Sequence, residues 1–222
     1  MADFPSNDYL IILSGGMDSV TLLHEYASRI ALAVTFDYRS TQNARERRCA
    51  VSNCRRLGIP HLVVDAAFIH DHFDSALLRS ADDIPEGSYN EGNMSSTVVP
   101  FRNGVMLSIA CGIADSRGLR HVMIANHGGD HFVYPDCRPE FIAAMSEAMS
   151  AGTDGNVDIL APYTLLSKAE IARRGAKFGV DFADTYSCYK GGENHCGKCA
   201  TCIERRQALA DAGIEDPTVY EG

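Results

Sequence analysis

The sequence predicts an α/β protein with a doubly wound, mostly parallel β-sheet. Short apolar runs at residues 9–13, 31–36 and 61–64 suit buried strands, and the stretches 18–29 and 41–57 between them have helical spacing. Strands that alternate with crossover helices in this way form a parallel sheet with helices on both faces. At 222 residues, the chain is long enough for one such domain with a small appendage.

The α/β pattern continues beyond a long polar stretch. Residues 80–97 are rich in Gly, Ser and Asn, which predicts a long loop. We expect helices at 103–116, from Pro139 onward and at 167–177, the last of which begins with a Ser-x-x-Glu capping box. A strand is expected at 121–125, and the C-terminal part of the chain has no strand pattern.

The overall charge restricts the class of partner. The net charge is −9 and the pI is about 5.3, which argues against non-specific binding to nucleic acid because such binding generally needs a basic face. The N-terminus has no secretory pattern, and no apolar run approaches the roughly 20 residues of a membrane span. We therefore expect a cytoplasmic protein that binds neither nucleic acid nor a membrane.

A glycine loop, Ser14–Ser19 (SGGMDS), connects the first predicted strand to the first predicted helix. Two glycines let the backbone approach an anion, and the helix N-terminus presents unpaired N–H groups. Asp18 has the chemistry to hold Mg²⁺ or to cap the helix. An ordinary turn with Asp18 or Ser19 as N-cap has the same pattern, but ligands bind at the carboxyl ends of such strands, which favours a phosphate site.

Four of the eight cysteines lie close together near the C-terminus, at Cys188, Cys196, Cys199 and Cys202. Two overlapping CxxC units and one earlier cysteine supply the ligands of a closed structural Zn²⁺ site, although an iron–sulfur cluster or a redox-active pair stays an alternative. His195 is surplus to such a set. We therefore expect a nucleotide-binding domain at 1–180 and a zinc-binding C-terminal segment at 181–222, made of a zinc-bound loop and a helix and packed on that domain.

The glycine loop lacks the lysine of a Walker P-loop and the spacing of a dinucleotide fingerprint. It resembles the PP-loop of ATP pyrophosphatases, which cleave ATP between the α and β phosphates. The resemblance implies an adenine nucleotide alpha hydrolase-like fold of the HUP type and ATP with Mg²⁺ as co-substrate. The expected ATP contacts are Leu13, Ser14, Gly15, Gly16, Met17, Asp18, Ser19, Val20, Thr21, Leu22 and Leu23.

Further segments narrow the resemblance to one branch of that superfamily. Together with TFDY at 35–38, VPFRN at 99–103, YPDCRPEF at 134–141 and SKAE at 167–170, the cysteine segment resembles the QueC family of 7-cyano-7-deazaguanine synthases. Such enzymes are ligases of queuosine biosynthesis that convert 7-carboxy-7-deazaguanine, ammonia and ATP into a nitrile through adenylated intermediates. The resemblance also implies a homodimer.

The resemblance assigns roles to individual side chains. The expected catalytic residues are Asp18, Arg102 and Lys168, and the expected substrate contacts are Arg102, Asn103, Tyr134, Asp136 and Arg138. A guanidinium pairs bidentately with carboxylate or phosphate, which suits Arg102 to either group. A surface salt bridge for Arg102, a helix cap at Asn103 and a turn at 136–138 are the structural alternatives. Cys137 is expected to be a packed residue, and His127 and His131 to be loop histidines.

Two features keep other functions open. Where the family often has a glycine after its Asp-Tyr pair, this chain has Arg39, which weakens residue-level inference about base recognition. Another PP-loop amidating or tRNA-thiolating adenylase, or a non-catalytic nucleotide-binding module, would share the glycine loop. A short acidic chain offers no clear RNA-binding extension, and the intact SGGMDS motif argues against a module without activity.

Overall fold

The structure is a computed structural model that describes residues 7–88, 95–129 and 134–221. Within these ranges, five strands form one sheet in the order β3-β2-β1-β4-β5, and every neighbouring pair is parallel. The strands are β1 (Tyr9–Ile12), β2 (Ile30–Asp37), β3 (His61–Asp65), β4 (His121–Met123) and β5 (Asp158–Leu160). The predicted parallel α/β architecture is therefore confirmed.

Seven α-helices lie in the described residues. They are α1 (Met17–Glu25), α2 (Asn43–Leu57), α3 (Ala67–His72), α4 (Arg102–Ser116), α5 (Pro139–Gly152), α6 (Lys168–Lys177) and α7 (Ala200–Ala212). Helix α6 begins with the predicted capping box, in which the side chains of Ser167 and Glu170 satisfy each other's backbone N–H groups.

The sheet is covered on both faces because successive side chains of its strands point to opposite sides. Leu10 of β1 packs in the apolar cluster that contains the buried residues of α3, α4 and α5. Its neighbour Ile11 packs in the second cluster, with buried residues of α1, α2, α6 and α7. This alternation makes the sheet doubly wound.

Two elements were missing from the sequence-based prediction. Strand β5 has only three residues, too few for a periodic pattern, and it is held by pairing with β4. Helix α3 has only six residues, which is also too short for a clear pattern. The helix expected with the C-terminal cysteine loop is present as α7, which begins within the last CxxC unit. In the predicted loop, short 3₁₀ turns form at Ala81–Asp83 and Ser95–Thr97, and residues 89–94 lie outside the described part of the chain.

Arg39 adopts a backbone conformation that favours glycine. Its φ angle is +58°, in the left-handed region, where a side chain other than glycine is disfavoured by about 1 kcal/mol. The Asp37 carboxylate accepts a hydrogen bond from the Arg39 N–H, which supports the turn after β2. The departure from the family's glycine at this position therefore leaves the turn itself in place.

The stretch Ser95–Ser116 passes a test of length and composition for a membrane span, but half of the apolar window is buried inside the protein. The continuous α-helix within it is α4, of 15 residues, shorter than the roughly 20 residues that cross a bilayer. Its buried face includes Met106, Leu107 and Ala110. Helix α4 is accordingly a core helix of the sheet's cover layer.

Arg205 cross-links distant parts of the C-terminal segment. Its side chain is fully buried, donates to the Phe182 carbonyl and the Thr185 hydroxyl, and lies 3.5 Å from the Asp216 carboxylate. It also donates to the hydroxyl of Thr218 at 2.8 Å. A guanidinium of five donors in a planar fork can bind several acceptors at once. Arg205 is therefore an internal cross-link.

We predict that Arg205→Met destabilises the protein by about 3 kcal/mol, because it leaves the Asp216 carboxylate and several buried acceptors without their donor. Urea unfolding followed by circular dichroism measures this change. Arg55→Met, at an exposed position of α2, is the matched control and should alter the unfolding free energy by less than about 0.5 kcal/mol. Equal stability of the two variants would contradict the cross-linking role.

Candidate active site and cysteine cluster

A cavity of about 220 Å³ opens at the carboxyl ends of β1 and β4. The chain runs from β1 outward to β3 and then returns to β4 on the other side of β1, so the strand order reverses at this point. A parallel sheet leaves a crevice at such a reversal, and ligands of doubly wound proteins bind there. The glycine loop, Ser14–Ser19, forms one wall of the cavity.

The glycine loop is held together by the hydroxyls of its two serines. Ser14 and Ser19 are hydrogen-bonded to each other at 3.0 Å, and their oxygens accept from the N–H groups of Gly16 and Gly15, respectively. No side chain caps the first turn of α1, whose N-cap is Gly16. The first N–H groups of α1 therefore point toward the cavity without an intrahelical partner, an arrangement that binds anions.

Gly15 makes the closest approach between the glycine loop and another element. Its φ angle is +103°, and a Cβ at this position would lie 1.9 Å from the carbonyl oxygen of Glu46 in α2. On its other side, the Gly15 carbonyl accepts a hydrogen bond from the N–H of Tyr186 at 3.0 Å. Gly15 therefore serves the packing of the loop between α2 and the C-terminal segment, whereas the sequence suggested only an anion contact.

Asp18 lies in a cluster of charged groups at the N-terminus of α1. The Asp18 Oδ2 atom is 3.3 Å from Nζ of Lys168 and 3.8 Å from Nε2 of His127. Lys168 also forms a 2.7 Å salt bridge with Glu204. The Asp18 Oδ1 atom is buried without a hydrogen-bond partner among the described residues. A buried carboxylate oxygen without a partner is costly, which indicates a place for a cationic ligand.

Arg102, the first residue of α4, lies on the opposite side of the cavity among three tyrosines. Its guanidinium donates to the Tyr38 hydroxyl at 3.3 Å, and the hydroxyls of Tyr134 and Tyr189 are hydrogen-bonded to each other. Burial disfavours the charge, but the three tyrosines, Tyr38, Tyr189 and Tyr134, raise the pKa of Arg102 above its usual value. The result is a permanent positive charge beside an aromatic wall, here called the tyrosine cluster.

Two other predicted substrate contacts, Asn103 and Asp136, are engaged with each other. Oδ2 of Asp136 accepts from the backbone N–H of Asn103, and the Asn103 amide donates to the Asp136 carbonyl and the Cys137 sulfur. Asn103 and Cys137 line the cavity, whereas Asp136 and Arg138 are not among its lining residues. Within this geometry, Asp136 anchors the first turn of α4 and thereby positions Arg102.

The predicted ATP-binding stretch divides into two parts. Six of its residues line the cavity, namely Leu13, Ser14, Gly16, Met17, Asp18 and Ser19. Gly15 lies behind them, and Val20, Thr21, Leu22 and Leu23 are fully buried away from it on α1. Because successive residues of a helix point in different directions, the residues of α1 after Ser19 do not all face the cavity. Those that point into the apolar core hold the glycine loop in place from behind.

Some cavity residues were missed by sequence reasoning. Tyr38, Glu46, Tyr189 and Glu204 all line the cavity, and His127 is a buried cavity residue beside Asp18. His131, the other predicted loop histidine, lies outside the described residues. The position of Tyr38 in the sequence could have predicted its place in the cavity. Tyr38 directly follows β2, and the carboxyl ends of parallel strands meet at one edge of the sheet. No comparable signal marks Glu46, which sits inside a charged helix.

The Glu46 carboxyl group has an unusual acidity. Burial raises the pKa of Glu46 to about 7, and the nearby positive charge of Arg102 opposes this increase. Perturbed acidity in a cleft is common among catalytic groups. Glu46 is therefore a functional candidate that arises from the structure alone.

The sulfurs of Cys188, Cys196, Cys199 and Cys202 lie within 4.8 Å of one another, and all four cysteines are buried. Backbone N–H groups of Cys196, Lys198 and Cys199 donate to these sulfurs, and hydrogen bonds from the Cys188 and Cys202 thiols lower the pKa of Cys199. Thiolates are the form that binds a metal. The donor set therefore fits one tetrahedrally coordinated metal ion.

His195 is buried beside this cluster without joining it. Its Nε2 accepts from the N–H of Ser187, and its ring packs between Tyr186 and Tyr220. Burial, with a further contribution from the Arg205 charge, lowers the pKa of His195 to about 4. It therefore orients the chain between the cysteine cluster and the cavity as a neutral side chain.

An anion-binding glycine loop at the reversal point of a parallel sheet, without the lysine of a Walker P-loop, defines a PP-loop nucleotide-binding protein. A family model described as queuosine biosynthesis protein QueC matches residues 8–213. The chain belongs to the QueC family.

Full-length relatives agree with this assignment. A 7-cyano-7-deazaguanine synthase of Porphyromonas gingivalis is 59% identical over 215 residues, which are 97% of this chain and 98% of that protein. Proteins of the same name from Desulfotalea psychrophila and Methanoregula boonei are 47% and 46% identical, each over 96% of this chain and 98% of the relative. An NMN synthetase from Francisella tularensis shares the fold at 14% identity, with a TM-score of 0.52 over 95% of this chain and 79% of that one.

We predict that Cys199→Ala lowers the bound metal per chain and the thermal stability together, because the free energy of metal binding is largely folding free energy. Elemental analysis and a thermal melt measure the two quantities. Cys111→Ala, at a buried cysteine of α4 outside the cluster, is the control and should retain the metal. Unchanged metal stoichiometry in Cys199→Ala would contradict the four-cysteine site.

Proposed function

We propose that the protein is an ATP-dependent carbon–nitrogen ligase that converts 7-carboxy-7-deazaguanine and ammonia into 7-cyano-7-deazaguanine. The observation that carries the proposal is the shared cavity, in which the glycine loop and Asp18 face Arg102 and the tyrosine cluster. A nucleotide and a planar carboxylate substrate would meet there. The names of the full-length relatives support the same reaction.

The glycine loop and the start of α1 would hold the ATP phosphates. The unpaired N–H groups and the positive end of the helix dipole favour negative charge, and the Ser14 hydroxyl is exposed toward the cavity. Mg²⁺ is commonly held by one or two carboxylates together with substrate phosphates. The unpartnered Oδ1 of Asp18 is the carboxylate oxygen suited to it.

Lys168 would stabilise negative charge as pyrophosphate departs. Its Nζ lies 3.3 Å from Asp18 and 2.7 Å from Glu204, so two carboxylates fix its position near the N-terminus of α1. A preorganised cation stabilises the transition state without reorganisation at the moment of reaction. This arrangement supports the catalytic role expected for Lys168.

The side of the cavity formed by Arg102 and the tyrosine cluster would bind the purine-like carboxylate substrate. Arg102 can pair with the carboxylate through two parallel hydrogen bonds, and the rings of Tyr38, Tyr134 and Tyr189 offer apolar surface to a planar base. This side of the cavity thus combines one charged and several aromatic contacts. Such a combination suits a flat, negatively charged heterocycle.

The chemistry requires two activations. A carboxylate oxygen is a poor leaving group, and transfer of the adenylyl group to it creates an acyl adenylate from which AMP can depart. Ammonia then gives the amide, and a second adenylation of the amide oxygen allows its loss to give the nitrile. The protein's contribution is mainly positioning and charge stabilisation.

We propose that the metal in the cysteine cluster is Zn²⁺ with a structural role. Sulfurs about 2.3 Å from one zinc ion lie roughly 3.8 Å apart in a tetrahedron. Two sulfur pairs of the cluster, Cys196–Cys202 and Cys199–Cys202, are separated by 4.0 and 3.4 Å. A closed set of four thiolates leaves no open position for a substrate.

We also propose that the protein is a homodimer. Helix α5 has only Ile142 fully buried, although Phe141, Met145 and Met149 are large apolar residues that are partly exposed. A second copy of the chain would cover this surface. Light scattering should give about twice the 24.1 kDa of one chain, and a mass equal to one chain would refute the dimer.

The proposed location is the cytoplasm. All eight cysteines are free of disulfide bonds in the structure, and four of them are required as metal-binding thiols. Such thiols persist in a reducing compartment. Cell fractionation should recover the protein with the cytoplasmic extract, and its recovery with membranes or secreted protein would oppose this location.

Purified, metal-loaded protein with 7-carboxy-7-deazaguanine, ammonium and Mg-ATP should form the nitrile, AMP and pyrophosphate, as measured by mass spectrometry. Asp18→Asn should reduce nitrile formation by about 100-fold, because the proposed Mg²⁺ ligand loses its charge. The control is Asp71→Asn, at an exposed position of α3, which should retain full activity. Absence of nitrile with the wild-type protein would refute the proposed function.

A further inference from the structure

Glu46 occupies a defined position between the two sides of the cavity. Its backbone carbonyl lies against Gly15, and its Oε1 would be 3.9 Å from a Cβ built on Gly16, the N-cap of α1. Helix α2 therefore carries this side chain to the glycine loop through a direct backbone contact. The carboxyl group lines the same cavity as Arg102.

The charged surroundings of Glu46 are few. Burial raises the pKa of Glu46, and the positive charge of Arg102 on α4 opposes this increase without cancelling it. The other titratable groups along this wall are Cys49 on α2 itself, Asp18 at the start of α1, and Tyr186 and Tyr189 before the cysteine cluster. No salt bridge of the described residues fixes the Glu46 carboxylate, so it is available to a ligand.

We propose that Glu46 is the general base that removes a proton from the ammonia nitrogen as it attacks the acyl adenylate, a role that rests on the proposed ligase function. With the ATP phosphates at the glycine loop and the substrate carboxylate at Arg102, the acyl adenylate would form between the glycine loop and Arg102. Glu46 lies between the same two groups. A base must come within hydrogen-bond reach of the proton that it accepts, and a carboxyl group that lines the cavity beside both groups is placed to do so.

The lone pair of ammonia forms the C–N bond at the carbonyl carbon, and the C=O π electrons move onto oxygen. The Glu46 carboxylate accepts one proton from the resulting ammonium nitrogen. The carbonyl re-forms as the bond between carbon and the bridging oxygen of AMP breaks, and AMP leaves with the electron pair. The products are the amide, AMP and protonated Glu46, which returns its proton to solvent.

The pH dependence separates this role from a structural one. Because burial raises the pKa of Glu46 to about 7, the base is mostly protonated, and inactive, below that pH. Over the same pH range most of the ammonia is present as ammonium, so the concentration of reactive NH₃ also rises tenfold for each pH unit. At fixed total ammonium, the logarithm of the amidation rate should rise with a slope of about two below pH 7 and about one above it.

The test compares Glu46→Gln with wild type in two assays. Carboxylate-dependent exchange of pyrophosphate into ATP reports adenylation and should change by less than about 3-fold in the variant. Single-turnover amide formation should fall by at least about 100-fold, with a slope of about one throughout. Glu147→Gln, at an exposed position of α5, is the matched control and should behave as wild type in both assays.

Normal amide formation in Glu46→Gln, or retention of its steep acidic limb, would overturn the proposal. Glu46→Asp preserves a carboxylate and provides a second check: its rate should be reduced while the steep limb is kept. Loss of that limb in Glu46→Asp, with exchange intact, would also overturn it. Failure of the wild-type exchange assay would instead refute the proposed ligase function, so the two failures are distinguishable.

Discussion

The contact between the backbones of Gly15 and Glu46 is the constraint on which the site depends. A side chain at Gly15 would overlap the Glu46 carbonyl, so the glycine loop can lie flat against α2 only without a Cβ. The hydrogen bond from Tyr186 fixes the other side of Gly15 and links the loop to the segment that leads into the cysteine cluster. One residue thereby links the glycine loop to α2 and to the C-terminal segment.

The electrostatics of the molecule follow from local placement rather than total charge. A chain with a net charge of −9 would repel nucleotides if its charges were spread evenly. In the structure, the α1 N-terminus, Lys168 and Arg102 all face one cavity, while the carboxylates of Asp18 and Glu204 hold Lys168 in position. Arg102 is charged at neutral pH like any arginine, and the hydroxyl of Tyr38 accepts one of its hydrogen bonds. The cavity is thus suited to anions in an acidic protein.

Sequence reasoning was strongest where a pattern is local. The strand alternation, the glycine loop, the four cysteines and the capping box at Ser167 are each read within a few residues, and the structure has all of them. It was weakest where function depends on contacts between distant segments. Glu46 is remote in sequence from Arg102, and only the packing of α2 against the loop gives it an altered acidity. Asp136 is predicted as a substrate contact, and the structure adds that its carboxylate accepts a hydrogen bond from the first turn of α4, which no local pattern indicates.

The central claim is that the carboxylate substrate and ATP react with each other in this cavity through an adenylated intermediate. The most direct measurement uses 7-carboxy-7-deazaguanine with both carboxylate oxygens labelled with ¹⁸O and follows the label by mass spectrometry. Adenylation of the carboxylate and then of the amide predicts that every AMP formed carries one ¹⁸O atom and that pyrophosphate carries none. Label found in pyrophosphate or in water, with unlabelled AMP, would contradict the account.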